Sequence, residues 1–241
     1  MEFNLRGYFG GLGDQLQWSW APEILSNLGH KVSLYTGPDV LQLRNEGIKN
    51  LVYDHNPFIK GESDVEWNLG DLPGKNYVNH GLGFIGNWAK SLGFEPSGES
   101  LPKIYYPPKV IEGKFGLVEL SAIHHKYNPE RVIRTVKSMI DKSGIPIKQV
   151  TSANQANKIK IPDIEEVFVE DLFQLSDLIF SCTTFVSLCS GSHSLAAAIR
   201  RFNSNIEQIC LIPESDWDWV MESKKFVYPG VEYFRENGKS Y

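Results

Sequence analysis

Two stretches of this chain carry residue types suited to chemistry on a phosphate-bearing ligand. The first is Phe9-Gly10-Gly11-Leu12-Gly13-Asp14-Gln15. Three glycines within four positions permit positive φ and a close approach of ligand to backbone. They lie between Phe3 to Tyr8, which reads as a strand, and Leu16 to Leu28, whose apolar spacing reads as a helix. A helix opening there offers free N–H groups and the positive end of its dipole. Asp14 stands at the junction, where it either caps the helix or faces a cleft. The spacing is not the dinucleotide fingerprint, because Leu16 stands where the third glycine would be.

The second stretch is Ser190-Gly191-Ser192-His193-Ser194, which runs into Leu195-Ala196-Ala197-Ala198-Ile199. Small residues opening a helix expose its first N–H groups, a chemistry that suits a diphosphate. The competing reading is a small-residue helix packed closely on a sheet. His124 and His125 are neighbours on an expected strand and point to opposite faces, so they do not share a metal ion; either could touch a nucleotide. Glu165-Glu166 and Glu170-Asp171 read as solvated charges, with Glu170 a second reading as a ribose contact. No metal-ligand cluster is visible, and Cys182, Cys189 and Cys210 lack metal-ligand spacing.

The elements that must position these stretches follow from periodicity and turn residues. After the first helix, Leu28-Gly29 is a helix stop, and Val32 to Tyr35 is a second strand. Val40 to Leu43 forms a short helix before Gly47, and Leu51 to Tyr53 is a third strand. Asp54 to Lys75 reads as loop and Tyr77 to Phe94 as helix. Four prolines between Glu95 and Pro108 mark a linker. The alternation then restarts: a strand at Phe115 to Leu120, a helix from Glu130 to Lys142 closed by Gly144, a strand at Pro146 to Val150. Strands at Val167 to Val169 and Leu178 to Cys182 flank a helical turn, a helix covers Ser194 to Arg201, and Ile209 to Ile212 is the last strand. The aromatic segment from Trp217 to Phe234 is expected to pack back across both halves. The predicted fold is α/β: two facing Rossmann-like domains, 1–105 and 106–241, with a cleft between them.

Composition narrows the function classes. With 41% hydrophobic and 22% charged residues the 241-residue chain is an ordinary globular protein. A formal net charge of −5 argues against a general coat for duplex DNA. No apolar run reaches membrane-spanning length, and no signal-peptide pattern opens the chain. An odd number of cysteines among apolar neighbours reads as reduced thiols, so a cytoplasmic location is expected.

Three segments together resemble the bacterial heptosyltransferases, a GT-B family (glycosyltransferase family 9). Gly13-Asp14 resembles that family's glycine-loop Gly-Asp. Lys126-Tyr127-Asn128-Pro129-Glu130 resembles its Lys-x-x-Pro-Glu. Ser190-Gly191 with Leu195 to Ala198 resembles its Asp-Ser-Gly-Pro-x-His-Leu-Ala-Ala-Ala. The order agrees, while Cys189 replaces the aspartate, Ser194 the histidine, and His193 is displaced by one. The resemblance implies Asp14 as the base on the acceptor hydroxyl, with Gly11, Gly13 and Gln15 on the acceptor loop. It implies Lys126, Ser190, Gly191, Ser192, His193 and Ser194 on the donor; His124 and Glu170 are candidate nucleotide contacts on the residues alone. The expected reaction is inverting, metal-independent sugar transfer from a nucleotide-diphosphate sugar, with no resident cofactor. The acceptor would be a glycan, a lipid-linked sugar or modified nucleic acid. The alternatives are a non-catalytic sugar-nucleotide or glycan-binding module, and an epimerase or hydrolase on the same scaffold.

Overall fold

A computed structural model describes residues 2–5, 11–35, 46–63, 102–122, 125–152, 158–223 and 226–239. His124, the Val40 to Leu43 helix and the Tyr77 to Phe94 helix lie outside the described residues. The chain divides into two compact units, Met1–Tyr106 with Ser223–Lys225, and Pro107–Glu222 with Phe226–Tyr241.

In the first unit, β1 (Glu2–Leu5), β2 (Lys31–Tyr35) and β3 (Ile59–Ser63) form a parallel sheet in the order β1-β2-β3 among the described residues. The expected long helix is two, α1 (Leu12–Trp18) and α2 (Ala21–Asn27). Pro22, in the first turn of α2, has no N–H to continue the α1 ladder, so the chain turns at Ser19-Trp20. Gly29 then takes φ 82° and closes α2. Leu51 to Tyr53, expected as a strand, instead lies in a π-helical turn, Asn50–Asp54, that continues α3 (Glu46–Lys49). The true third strand falls in the expected loop, and its register slips by one residue between Val32↔Ile59 and Leu34↔Glu62. Gly61, at φ 151°, takes up the extra residue, a conformation that favours glycine.

The segment from Pro102 to Tyr106 is anchored rather than loose. Lys103 is buried and pairs with Glu23, its N–H donates to Ser19 Oγ at 2.8 Å, and Tyr105 Oη donates to Glu23 Oε2 at 3.1 Å. Beyond Pro107-Pro108 the contacts change unit: Lys109 N–H donates to Asp177 Oδ1 and Ile111 N–H to Ser181 Oγ, both at 2.8 Å.

The second unit is built on β4 (Gly116–Glu119), β5 (Ile147–Thr151), β6 (Glu165–Phe168), β7 (Thr184–Leu188), β8 (Glu207–Ile212) and β9 (Val231–Arg235). Among the described residues these pair in parallel in the order β6-β5-β4-β7-β8-β9, the doubly wound order whose direction reverses between β4 and β7. Helix α4 (Pro129–Ser143) carries its own signals: Asn128 caps it by accepting from Arg131 N–H at 3.1 Å, Pro129 occupies its first turn, and Gly144 ends it at φ 63°. Its Val132 and Val136 are buried with Val118, Leu120, Val186, Leu188, Ile209 and Leu211. The alternate residues of the same strands, including Leu117, Glu119, Phe185, Ser187 and Cys210, therefore face the opposite side.

Leu178 to Cys182 is not a strand. Asp171 caps α5 (Leu172–Ser181) through Gln174 N–H at 2.8 Å, and the apolar run is the buried stripe of that helix. The strand leading to the serine-rich turn is Thr184–Leu188, which opens on β-branched and aromatic residues. Helix α6 (Gly191–Ile199) follows it, then α7 (Trp217–Ser223). The aromatic tail supplies β9, so Tyr233 is a sheet residue.

Candidate functional site

In an open doubly wound sheet, ligands bind beyond the C-terminal ends of the strands where the strand order reverses. Here that crevice lies between Glu119, ending β4, and Leu188, ending β7; the ladder sets Glu119 directly beside Ser187. The α6 N-terminus opens at this point, with Ser190 as N-cap in extended conformation. No side chain caps it, so its first N–H groups keep their outward direction.

Glu119 is the centre of a hydroxyl cluster. It is only 2% exposed. Its Oε1 accepts from Ser121 N–H at 3.1 Å and from Ser121 Oγ, and its Oε2 accepts from Ser192 Oγ. Ser190 Oγ lies 2.8 Å from Ser192 Oγ, and since the Ser192 proton points to the carboxyl, Ser190 is the donor. Burial pushes the Glu119 carboxyl upward in pKa, with the Ser121 and Ser192 hydroxyls opposing. The carboxyl is thus biased towards its neutral form under a helix terminus that attracts anions.

The remaining expected donor residues divide. Ser190, Gly191 and Ser192 form the turn at the crevice, whereas His193 and Ser194 turn into the core. His193 is fully buried; its Nδ1 accepts from Gln208 Nε2 at 3.0 Å and its Nε2–H reaches Phe226 O at 3.0 Å. Both ring nitrogens are used, and burial holds the ring neutral. Ser194 Oγ bonds Tyr228 Oη at 2.8 Å. Lys126, on the β4–α4 connection, is exposed. Glu170 is also exposed beyond the edge strand β6, where its backbone N–H donates to Gln174 Oε1 at 2.9 Å.

A second cluster adjoins the crevice. His125 Nδ1 lies 2.6 Å from Asp216 Oδ2. Cys189 and Cys210 are buried in one cluster beside it, and the Cys210 thiol faces Leu211 O at 3.9 Å. The backbone of Cys189 is fixed by Tyr127, whose Oη accepts from Cys189 N–H at 2.9 Å and donates to Leu211 O at 3.0 Å. Cys210 and His125 hold the Cys189 thiol well below its ordinary range. Cys189 and Asp216 in turn raise His125 to about 9.

In the first unit, the glycine loop is less open than its composition implies. Gly11 is the N-cap of α1 at φ −83°, and Gly13 is inside the helix, so neither uses positive φ. Asp14 is not the cap: it sits in the first turn, half-buried. Gln15 is buried and accepts from Tyr53 Oη at 2.6 Å.

Glu119 escaped the sequence reading; its signal was one acid inside an apolar strand. Asp216 and Cys189 are far apart in sequence, and only the β7–β8 pairing joins them. Among the described residues no group of three His, Cys, Asp or Glu side chains is placed to hold a metal ion. Nor is any helix among them long and apolar enough to cross a membrane.

No family model and no curated relative matches the sequence. Solved structures do match. The E. coli heptosyltransferase WaaC with ADP aligns with TM-score 0.62 and 13% identity, covering 100% of this chain and 95% of WaaC. A glycosyl transferase of family 9 from Veillonella parvula aligns with TM-score 0.59 and 8% identity, covering 97% and 85%. The dodecameric, iron-containing heptosyltransferase TibC, in complex with ADP-D-beta-D-heptose, aligns with TM-score 0.55 and 17% identity. The alignment covers 88% of this chain but 57% of TibC, so the chain spans little more than half of that relative's length. These likenesses establish the fold: α/β with parallel sheets, of the GT-B heptosyltransferase kind.

Proposed function

We propose that this chain is a glycosyltransferase that moves a sugar from a nucleotide-diphosphate donor to an acceptor hydroxyl, with inversion and without a metal. The observation that carries the reading is the Ser190-Gly191-Ser192 turn opening α6 at the β4/β7 reversal, in a fold shared with heptosyltransferases. In this reading the diphosphate sits on the first N–H groups of α6, and Lys126 adds a cation from the β4–α4 connection. Glu119, whose carboxyl burial pushes upward in pKa, holds Ser192, which in turn accepts from Ser190. Asp14 removes the acceptor proton. His193 and Ser194 support the helix from the core rather than touching the donor. The three free cysteines fit a reducing, cytoplasm-like compartment.

WaaC and TibC are described with ADP and ADP-heptose, so ADP-sugars are the first donors to try, with other nucleotide sugars beside them. The test is release of nucleoside diphosphate that depends on a glycan or lipid-linked acceptor, with the product anomer read by NMR and the assay repeated in a chelator. Acceptor-dependent release with an inverted anomer, unchanged by chelation, is the expected result. Donor binding without turnover across the acceptor panel would replace the transferase by a sugar-nucleotide-binding module. Release without acceptor would indicate a hydrolase.

A further inference from the structure

Lys126 stands between two residues whose side chains are tied to other parts of the second unit. On one flank, His125 Nδ1–H donates to Asp216 Oδ2 at 2.6 Å. Asp216 directly precedes α7, and its Oδ1 accepts from Ser215 Oγ at 3.1 Å. On the other flank, Tyr127 Oη accepts from Cys189 N–H at 2.9 Å and donates to Leu211 O at 3.0 Å. Cys189 N–H also donates to Leu211 O at 3.0 Å, so the tyrosine hydroxyl closes the last rung between β7 and β8. Cys189 in turn directly precedes Ser190, the N-cap of α6. The His125 and Tyr127 rings lie 6.4 Å apart, edge to face, and the Trp219 ring is 6.5 Å from His125. The two anchored side chains therefore share one side of the chain; both are half-buried, while Lys126 between them is exposed. A lysine stem is long and flexible, so its ammonium is only as well placed as the backbone that carries it.

We propose that His125 and Tyr127 are positioning residues that hold the Lys126 backbone in register with the first turn of α6, so that the ammonium and the helix N–H groups meet the same diphosphate. The assignment rests on the transferase reading, from which it takes Lys126 as a donor-phosphate cation. It adds the two residues that fix where that cation starts. Tyr127 is the direct link, because one hydroxyl joins the residue after Lys126 to the residue before Ser190. His125 acts from the other flank, where its bond to Asp216 ties the β4–α4 connection to the segment that follows β8. Neither ring touches the diphosphate, so both act through Lys126. A cation whose origin is fixed before the ligand arrives loses less freedom on binding, and the affinity rises accordingly.

The experiment is a double-mutant cycle on the full chain, read by isothermal titration with ADP, GDP and UDP, the tightest binder being carried through the variants. Lys126→Ala weakens binding by about tenfold or more, as loss of a charge-assisted contact does. Tyr127→Phe keeps the ring, removes both hydrogen bonds and weakens binding by about fivefold, whereas in the Lys126→Ala background the same change has no effect. His125→Leu repeats the pattern from the other flank, and it carries the test where the Tyr127→Phe chain does not fold. Equal losses with and without Lys126 overturn the proposal and leave Lys126 a donor contact. Full affinity in both flanking variants does the same. A Lys126→Ala chain with wild-type affinity, or a wild-type chain that binds none of the nucleotides, overturns it together with the donor reading beneath it.

Discussion

The first turns of α1 and α6 look alike in the sequence and differ in the structure. Both follow a strand and open on glycine or serine, and both have an N-cap whose side chain makes no capping bond. Around α6 the other groups are built in: Glu119 holds Ser192 and Ser121, and every residue from Ser192 to Ile199 is buried. Around α1 the neighbouring Gln15 is tied to Tyr53, and the acid Asp14 stays half-buried at the surface. One turn is shaped to hold a ligand still. The other carries its acid half-buried in the first turn of the helix.

The largest expected effect separates the two turns directly. Asp14→Asn keeps donor affinity and melting temperature but lowers turnover by about 100-fold or more. Since Asp14 is not the cap of α1, a fall in melting temperature with turnover preserved would reverse the roles assigned to the two turns. Next is Lys126→Ala, which weakens donor binding by about 1.5–3 kcal/mol, a charge-assisted phosphate contact, with turnover at saturating donor less affected. Isothermal titration with donor reads it, and unchanged affinity removes Lys126 from the donor turn.

The third test sharpens the contrast by pH. Glu119 has its folded pKa raised, so the stability tied to its protonated form is complete below the unfolded value and is lost as pH rises through the folded one. Donor affinity falls in the same direction, because an ionised Glu119 stands under the diphosphate. Glu119→Gln abolishes this slope in both melting and binding curves; a slope that survives assigns the titration to another group. The smallest effect is Asn128→Ala, which loses the α4 cap and costs about 1 kcal/mol of stability in denaturant melts.

Much of the second unit was legible because its local signals are strong. Asn128-Pro129 and Gly144 bracket α4, and β4 and β8 carry short apolar runs with clear ends. Where the run was ambiguous the reading failed. Leu178 to Phe180 suits strand or helix equally, and only the Asp171 cap at the start of the segment decides for helix. Leu51 to Tyr53 failed the same way, since three apolar residues carry no period. β9 was hidden among aromatics that read as packing. The site was legible at Ser190 to Ser192, because a helix start is local. Glu119 with Ser192, and His125 with Asp216, were not, because the fold joins residues that no sequence window contains.

That pairing has a consequence in time. Thr183 bonds Phe115 across 68 residues, and the β4–β7 ladder begins there. β4 can pair with β5 across a single helical crossover, and so meets β5 long before it meets β7. On that order the crevice forms after the β4–β5 pair: until β7 arrives, Glu119 has its Ser121 partner but not Ser192. Pulsed hydrogen exchange during refolding should protect Leu117 and Val118 in two steps if β4 waits in this half-built sheet, and in one step if both neighbours dock together.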